Sequence, residues 1–79
     1  MPLSTSTFSE SKTIQIVING ESRLIPEGLN LLQLLGNLGM DPERVAVELN
    51  RVIVRQADWE ERRVDAGANL EIVQFVGGG

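Results

Sequence analysis

The sequence predicts an α+β fold, in which one main helix packs across one face of a mixed sheet of four to five strands. Isoleucines alternate with a period of two before an Asn-Gly pair, a short strand-like run follows it, and then come a helical spacing of leucines and further short apolar runs. This order places the helix against a single sheet. Because the chain has 79 residues, it has room for one small domain.

The first two strands form a hairpin. Ile14, Ile16 and Ile18 alternate with other residues, and residues 23–25 return as the second strand. Between them, Asn19-Gly20 is the commonest pair for a two-residue hairpin turn, because both residues tolerate a positive φ. The sequence therefore predicts antiparallel pairing across this turn.

A helix follows, with signals at both of its ends. Asn30 can cap its start, and Gln33, three residues later, can complete a capping box. Gly39 lies where a left-handed cap would end the helix. The apolar stripe consists of leucines at i, i+3, i+4 and i+7, namely Leu31, Leu34, Leu35 and Leu38. In so short a domain this stripe is expected to cover the sheet rather than to bind a partner.

Three further strands are expected. Residues 45–49 and 52–54 are apolar runs separated by a turn, and residues 70–76 form the last strand. Between them the chain is polar except for Ala57 and Trp59, which predicts an irregular crossing with the indole packed as its anchor. The first hairpin and the last strand should lie side by side at the sheet centre, which is the β-grasp, or ubiquitin-like, arrangement.

The domain is expected to span residues 13–76. Residues 1–12 are rich in Ser and Thr and are interpreted as a flexible extension, and residues 77–79 as a flexible glycine tail. A frayed end is the simplest interpretation of that tail. However, three extended residues would carry the Gly79 carboxylate about 10 Å past the last packed residue, at roughly 3.3 to 3.6 Å each, and glycine can enter a slot too narrow for side chains.

Composition excludes several functions. The chain has no cysteine and no histidine, so it lacks a thiol nucleophile and the commonest general base and metal ligand. We therefore expect neither an autonomous enzyme nor a metal site. A net charge of −4 argues against nucleic acid as a partner. No apolar run reaches the roughly 20 residues of a membrane span, and no signal peptide is seen, so the cytoplasm is the expected compartment.

Several stretches, in this order and spacing, resemble one known family. They are Val17-Ile18-Asn19-Gly20-Glu21, the Leu34-Leu35 helix with Gly39, Val45-Ala46-Val47-Glu48-Leu49-Asn50, Ile53-Val54 with Trp59, Glu71-Ile72-Val73, and Phe75-Val76-Gly77-Gly78-Gly79. Together they resemble the ThiS family of sulfur carriers in thiamine biosynthesis, over nearly all of residues 14 to 79. The chain departs from the family pattern in turns, at Arg51, Arg55-Gln56 and Gly67-Ala68, where Gly, Pro-Arg and Gly-Asp are usual.

The resemblance implies a cycle at the tail. An E1-like adenylyltransferase of the ThiF type uses ATP to adenylate the Gly79 carboxylate, and a sulfur donor system converts the adenylate to a thiocarboxylate. A thiazole synthase of the ThiG type then takes the sulfur. ATP and the sulfur donor serve the partner enzymes, and no cofactor is expected on this chain.

Roles at the base of the tail follow from the same hypothesis. Gly77 and Gly78 would thread the partner's channel. Phe75 and Val76 are candidates for an apolar collar that docks the carrier, although the interpretation that we favour places Phe75 in the core.

Other functions stay open at this stage. The small subunit of molybdopterin synthase shares the fold and the glycine end, and carriers for tRNA thiolation or amino-acid sulfuration are further alternatives. A noncovalent interaction module would use an edge strand or the sheet face and not the glycines. An RNA-binding module is suggested only by Arg51, Arg55, Arg62 and Arg63, and the interspersed acidic residues are typical of a solvated mixed-charge surface instead.

Overall fold

The computed structural model describes residues 12–75, which form a five-stranded mixed sheet with one α-helix on one face. The elements in chain order are β1 (Thr13–Ile18), β2 (Glu21–Pro26), α1 (Leu31–Asn37), β3 (Val45–Leu49), β4 (Val52–Val54) and β5 (Asn69–Gln74). Two 3₁₀ turns, at Pro42–Arg44 and Gln56–Asp58, lie in the connections. The predicted α+β class and the β-grasp arrangement are confirmed.

The last strand lies in the middle of the sheet. The strand order is β2-β1-β5-β3-β4. β5 is parallel to β1 and antiparallel to β3, with which it pairs over five positions from Val45↔Gln74 to Leu49↔Leu70. The predicted placement of β5 beside the first hairpin is therefore confirmed. The two edges of the sheet are β2 and the three-residue β4.

The hairpin turn has the expected backbone. Asn19 and Gly20 have φ angles of 52° and 84°, so both central residues are left-handed, as a two-residue turn of this kind requires. β1 and β2 then pair in register from Ile18↔Glu21 to Thr13↔Pro26. A second turn repeats this geometry between β3 and β4, where Asn50 and Arg51 have φ angles of 52° and 72°.

Both predicted ends of the helix are confirmed. The Asn30 side chain accepts the backbone N–H of Gln33 at 2.7 Å, and the Gln33 side chain accepts the backbone N–H of Asn30 at 2.9 Å. At the other end Gly39 is left-handed, with a φ of 75°, and the Met40 N–H reaches the carbonyl of Leu35 at 2.9 Å. Together with the bond from the Gly39 N–H to the Gly36 carbonyl at 3.1 Å, this bond forms a Schellman motif. The motif satisfies carbonyls that have no partner within the helix.

The core lies between α1 and the inner face of the sheet. Leu31, Leu34 and Leu35 are completely buried, so the leucine stripe packs on the sheet as predicted. Trp59 is also buried, and its indole N–H donates to the Val54 carbonyl at 2.9 Å. The tryptophan therefore anchors the crossing between β4 and β5, and the prediction of a packed indole is confirmed.

The last strand is shorter than the sequence predicted. We expected it to continue to Val76, but it ends at Gln74. Val76 and the glycine tail at 77–79 lie outside the described residues, as do residues 1–11 of the predicted extension. No helix in the described range is long and apolar enough to cross a membrane.

Candidate functional site

The candidate site is built around β5, because this strand leads to the glycine tail. On its β1 side the backbone N–H of Val17 donates to the Ala68 carbonyl, and that of Asn19 to the Leu70 carbonyl, each at 2.9 Å. At that point the β1 backbone turns away into the hairpin. A further partner is then needed for the peptide groups of Ile72, since the bonds of a parallel pair recur at every second residue.

The side chain of Asn19 supplies that partner. Its Nδ2 donates to the Ile72 carbonyl at 3.1 Å, and its Oδ1 accepts the Ile72 N–H at 2.9 Å. The amide thus pairs with Ile72 much as a strand backbone would, and it extends the β1 ladder by one step. We call this pair of bonds the Asn19 clamp.

A second asparagine contacts β5 from the β3 side, at the start of the strand. The Asn50 backbone N–H donates to the Asn69 carbonyl at 2.7 Å, and the Asn50 Oδ1 accepts the Asn69 N–H at 3.0 Å. One residue beyond the strand, the Phe75 N–H donates to the Arg44 carbonyl at 2.7 Å. β5 is therefore held as far as Ile72 on its β1 side and as far as Phe75 on its β3 side.

Phe75 is not a core residue. Its side chain is 55% exposed, so the core interpretation that we favoured from the sequence is wrong. The reason is that the strand alternation, which buries Leu70 and Ile72, turns Glu71 and Val73 outward and carries Phe75 in the same direction. An exposed aromatic at this position is available for contact with a partner. Its docking role, with Val76, stays a prediction, as do the roles of Gly77, Gly78 and Gly79.

The outward face of β3, β4 and β5 carries an apolar groove. Ala46 is paired with Val73, and Ile53 lies opposite Glu48 on the neighbouring strand. Ile53 and Val73 are 71% and 58% exposed, and with Ala46 they line a depression of about 120 Å³. We call this depression the outer groove. It lies on the same side of β5 as Phe75.

Two carboxylates border the outer groove. Glu48 and Glu71 are directly opposite each other in the β3–β5 register and face the same way. With Arg51 and Asn69 they also line an adjoining polar hollow of about 380 Å³. We call Glu48 and Glu71 the acidic pair. The acidic pair therefore lies between the outer groove on one side and Arg51, in the β3–β4 turn, on the other.

The described residues contain neither a metal-binding cluster nor a buried charged side chain. Within residues 12–75 no group of three or more acidic side chains is placed to hold a metal ion. The same residues contain no buried polar or charged side chain. The fold and the site instead define a class, that of small ubiquitin-like β-grasp domains whose central strand leads toward a run of glycines.

Comparison with known proteins identifies the family. The model of the ThiS family matches residues 8–79, and the chain belongs to this family. A crystal structure of a thiamine biosynthesis protein (ThiS) from Geobacter metallireducens superimposes with a TM-score of 0.73 at 30% identity, covering 84% of this chain and all of that one.

Relatives of two kinds were found by sequence. A thiazole synthase of Paramagnetospirillum magneticum is 44% identical over 66 residues, which are 84% of this chain and 20% of that protein. A second thiazole synthase, from Magnetococcus marinus, is 36% identical over 66 residues, again 84% of this chain and 20% of that protein. The chain therefore spans about a fifth of the length of these relatives. An uncharacterized protein, ycf40, of Porphyra purpurea is 35% identical over 97% of its own length.

Proposed function

We propose that this chain is a sulfur carrier of thiamine biosynthesis, which carries sulfur as a thiocarboxylate on Gly79. The observation that carries the proposal is the family match, which runs through the last glycine. The similarity to a thiamine biosynthesis protein over nearly the whole fold supports it. With no cysteine in the sequence, the chain has no thiol on which to carry sulfur instead.

In the proposed chemistry the Gly79 carboxylate reacts in two steps, first as a nucleophile and then as an activated acyl group. A carboxylate oxygen of Gly79 attacks the α-phosphorus of ATP, and pyrophosphate leaves, which gives an acyl adenylate. A sulfide equivalent from the donor system then attacks the carbonyl carbon, so that a C–S bond forms and AMP leaves with the C–O bond. Adenylation supplies the leaving group that the carboxylate lacks. The resulting thiocarboxylate is a soft nucleophile, suited to passing its sulfur to an electrophilic carbon.

The geometry suits such a carrier because a hydrogen-bonded strand, β5, leads into a short segment that can extend away from the domain. Hydrogen bonds hold β5 to β1 and β3, and the Phe75 N–H bond to Arg44 continues them to the base of the tail. Residues 76–79 can extend at most about 14 Å beyond Phe75, at roughly 3.3 to 3.6 Å per residue. This reach is enough to place a carboxylate in a partner's active site while the domain stays outside.

Two partner enzymes follow from this proposal. An E1-like adenylyltransferase would bind ATP and activate Gly79, while the chain itself acts as protein substrate rather than enzyme. A thiazole synthase would receive the sulfur. Support for the second partner comes from the relatives named thiazole synthase, in which a segment similar to this chain makes up about a fifth of the protein.

Intact-protein mass spectrometry tests the carrier function. The chain is incubated with ATP, an E1-like adenylyltransferase and a sulfide source. The expected product has one sulfur in place of one oxygen, confined to the C-terminal peptide and absent without ATP. If the enzyme acts on another carrier but gives neither adenylate nor thiocarboxylate here, the proposal is wrong.

A pair of modified chains locates the reaction. A chain with Gly79 as its C-terminal amide has no carboxylate to adenylate, so it should give no product. The matched control carries the same neutral amide elsewhere, at Glu21→Gln on the edge strand β2, which is separated from β5 by β1. This control should be adenylated like the wild type. Turnover of the Gly79 amide would contradict the assignment.

A further inference from the structure

We propose that Asn19 is a site of spontaneous deamidation, and that the Asn19 clamp slows this reaction while β5 is in place. The backbone nitrogen of Gly20 is the nucleophile and water is the co-reactant. The products are ammonia and an aspartate or isoaspartate at position 19. The change is irreversible for the fold, because neither product restores the donor that holds the Ile72 carbonyl. No partner enzyme takes part.

The turn that suits the hairpin also suits this reaction. Gly20 has no side chain to crowd its nitrogen, and the space that a Cβ would occupy is open. Within residues 12–75 the Gly20 N–H donates to no backbone carbonyl, so its proton is free to leave to solvent. Both residues of the turn are exposed, which gives water access to the reacting carbons. The Asn19-Gly20 pair can therefore react whenever the Asn19 side chain is free to approach the Gly20 nitrogen.

The reaction has two steps and involves no oxidation or reduction. The Gly20 nitrogen attacks Cγ of Asn19, a C–N bond closes a five-membered succinimide, and Nδ2 leaves as ammonia with the Gly20 amide proton. Water then adds to one of the two ring carbonyls. Cleavage at Cγ gives aspartate, whereas cleavage at the main-chain carbonyl gives isoaspartate, in which the backbone runs through Cγ.

The Asn19 clamp opposes the first step in the folded protein. It holds the leaving group Nδ2 on the Ile72 carbonyl at 3.1 Å, and it holds Oδ1 on the Ile72 N–H at 2.9 Å. Cγ is fixed between these two atoms, so it cannot turn toward Gly20 until both bonds break. Since one hydrogen bond changes a population about fivefold on balance, and two change it about 30-fold, the side chain is free about one time in 30.

Either product removes the clamp. Aspartate has no Nδ2 donor and places an oxygen against the Ile72 carbonyl. Isoaspartate also adds a methylene carbon to the backbone of a two-residue turn, whose φ angles of 52° and 84° set the register of β1 and β2. Loss of the Asn19 amide therefore weakens β5 on its β1 side, at the bonded position nearest the tail.

The second turn provides a matched control. Asn50 has the same φ of 52° as Asn19, but Arg51 follows it, and the arginine side chain crowds the nitrogen that would attack. Arg51→Gly creates a second Asn-Gly pair, and glycine suits the φ of 72° at this position. The Asn50 side chain is held by a single bond, in which Oδ1 accepts the Asn69 N–H at 3.0 Å. The two sites then share a turn backbone and differ in the number of side-chain bonds.

The experiment follows amide loss at both positions. Wild type and Arg51→Gly are incubated in a mildly alkaline buffer, once folded and once unfolded in urea. Peptide mass spectrometry then measures the conversion of each asparagine, and fragmentation distinguishes aspartate from isoaspartate. In urea, Asn19 and Asn50 of Arg51→Gly should react at equal rates, because both are then unrestrained Asn-Gly pairs.

Folding should slow the two sites by different factors. We expect Asn19 of the folded wild type to react at least about 30-fold more slowly than in urea, while Asn50 of the wild type stays intact. In folded Arg51→Gly, Asn50 should react about fivefold faster than Asn19, since one bond restrains it instead of two. Arg51→Gly should melt no lower than wild type, which excludes unfolding as the cause.

The modified chains test the consequence for the fold. The aspartate forms carry an added negative charge, so ion exchange separates them from the unmodified protein before melting. Aspartate at position 19 should lower the Tm. Aspartate at position 50 keeps the acceptor for the Asn69 N–H, so the Tm should stay close to that of unmodified Arg51→Gly.

Three results would overturn the proposal. Equal rates at the two sites of folded Arg51→Gly would show that the clamp does not restrain Asn19. An intact Asn19 in folded wild type, after an incubation that converts Asn50 of folded Arg51→Gly completely, would show that the folded chain is not a substrate for the reaction. An unchanged Tm after conversion of Asn19 would show that the amide does not hold β5. None of these results bears on the proposed carrier function, which its own mass-spectrometric assay tests.

Discussion

The Asn19 clamp makes a specific prediction about the stability of the tail-bearing strand. In Asn19→Asp the side chain keeps its shape and its tolerance of a positive φ, and it can still accept the Ile72 N–H. It loses the Nδ2 donor, which in the wild type lies 3.1 Å from the Ile72 carbonyl oxygen. A carboxylate oxygen takes the place of Nδ2 and repels that carbonyl. The loss of one hydrogen bond together with this repulsion should destabilise the domain by about 1.5 kcal/mol.

Asn50→Asp is the matched control for this substitution. Asn50 has the same φ of 52° and contacts the same strand, but its side chain only accepts, from the Asn69 N–H. Aspartate preserves that bond and adds the same charge. We therefore expect Asn50→Asp to remain within about 0.5 kcal/mol of wild type, as is usual for surface changes without a broken contact.

Urea titration and thermal melting measure both variants. A change of about 1.5 kcal/mol corresponds to a fall in Tm of about 6 to 12 °C for a domain of this size. Asn19→Gly gives a second measurement, because it keeps the left-handed backbone but removes both side-chain bonds, so hydrogen exchange at the Ile72 amide should accelerate. If Asn19→Asp is as stable as Asn50→Asp and Ile72 exchange is unchanged in Asn19→Gly, the clamp does not hold β5 and the reasoning is refuted.

Three further substitutions test other parts of the fold. Arg51→Gly should stabilise the domain by about 1 kcal/mol in urea titration, since glycine adopts the left-handed turn without the cost that a Cβ imposes; a lower stability would contradict the strain argument. Trp59→Phe keeps the buried ring but leaves the Val54 carbonyl without its donor, so a loss of about 1 to 3 kcal/mol is expected, and an unchanged Tm would be evidence against that bond. Asn30→Ala should lower the Tm through a loss of about 1 kcal/mol, whereas Asn30→Ser retains a cap; equal melting of the two would contradict the capping box.

The sequence predicted those parts of the fold that depend on local signals. Alternating isoleucines and the Asn19-Gly20 pair located the first hairpin, and the leucine spacing with Asn30 and Gly39 located the helix and its two caps. The β-grasp order followed from the apolar character of the first hairpin and the last strand, which favoured placing them side by side at the sheet centre. For the hairpin and the helix, the residues that carry the signal are within one element or its adjoining turn.

The features that sequence reasoning missed depend on contacts between distant residues. The sequence indicates only a turn role for Asn19, because its bonds to Ile72 join positions 53 apart in the chain. The apolar run 52–54 indicated a strand but not that Ile53 faces outward, since a short edge strand can present either face. The placement of Phe75 in the core was wrong for a different reason, since the alternation that buries Leu70 and Ile72 directs Phe75 outward. A cross-strand register would have been needed for Asn19 and Ile53.

The position of β5 connects these observations to the proposed carrier function. A strand at a sheet edge has one free side and can peel away when its end is pulled, whereas β5 is bonded to a neighbour on each side. The Asn19 clamp adds bonds at the step where β1 has already turned away, which is the step nearest the tail on that side. A partner that draws the tail into its active site would therefore pull on a strand that is hydrogen-bonded to a neighbour on each side. If this is so, Asn19→Gly should impair sulfur transfer through a higher KM, even at temperatures where the variant is fully folded.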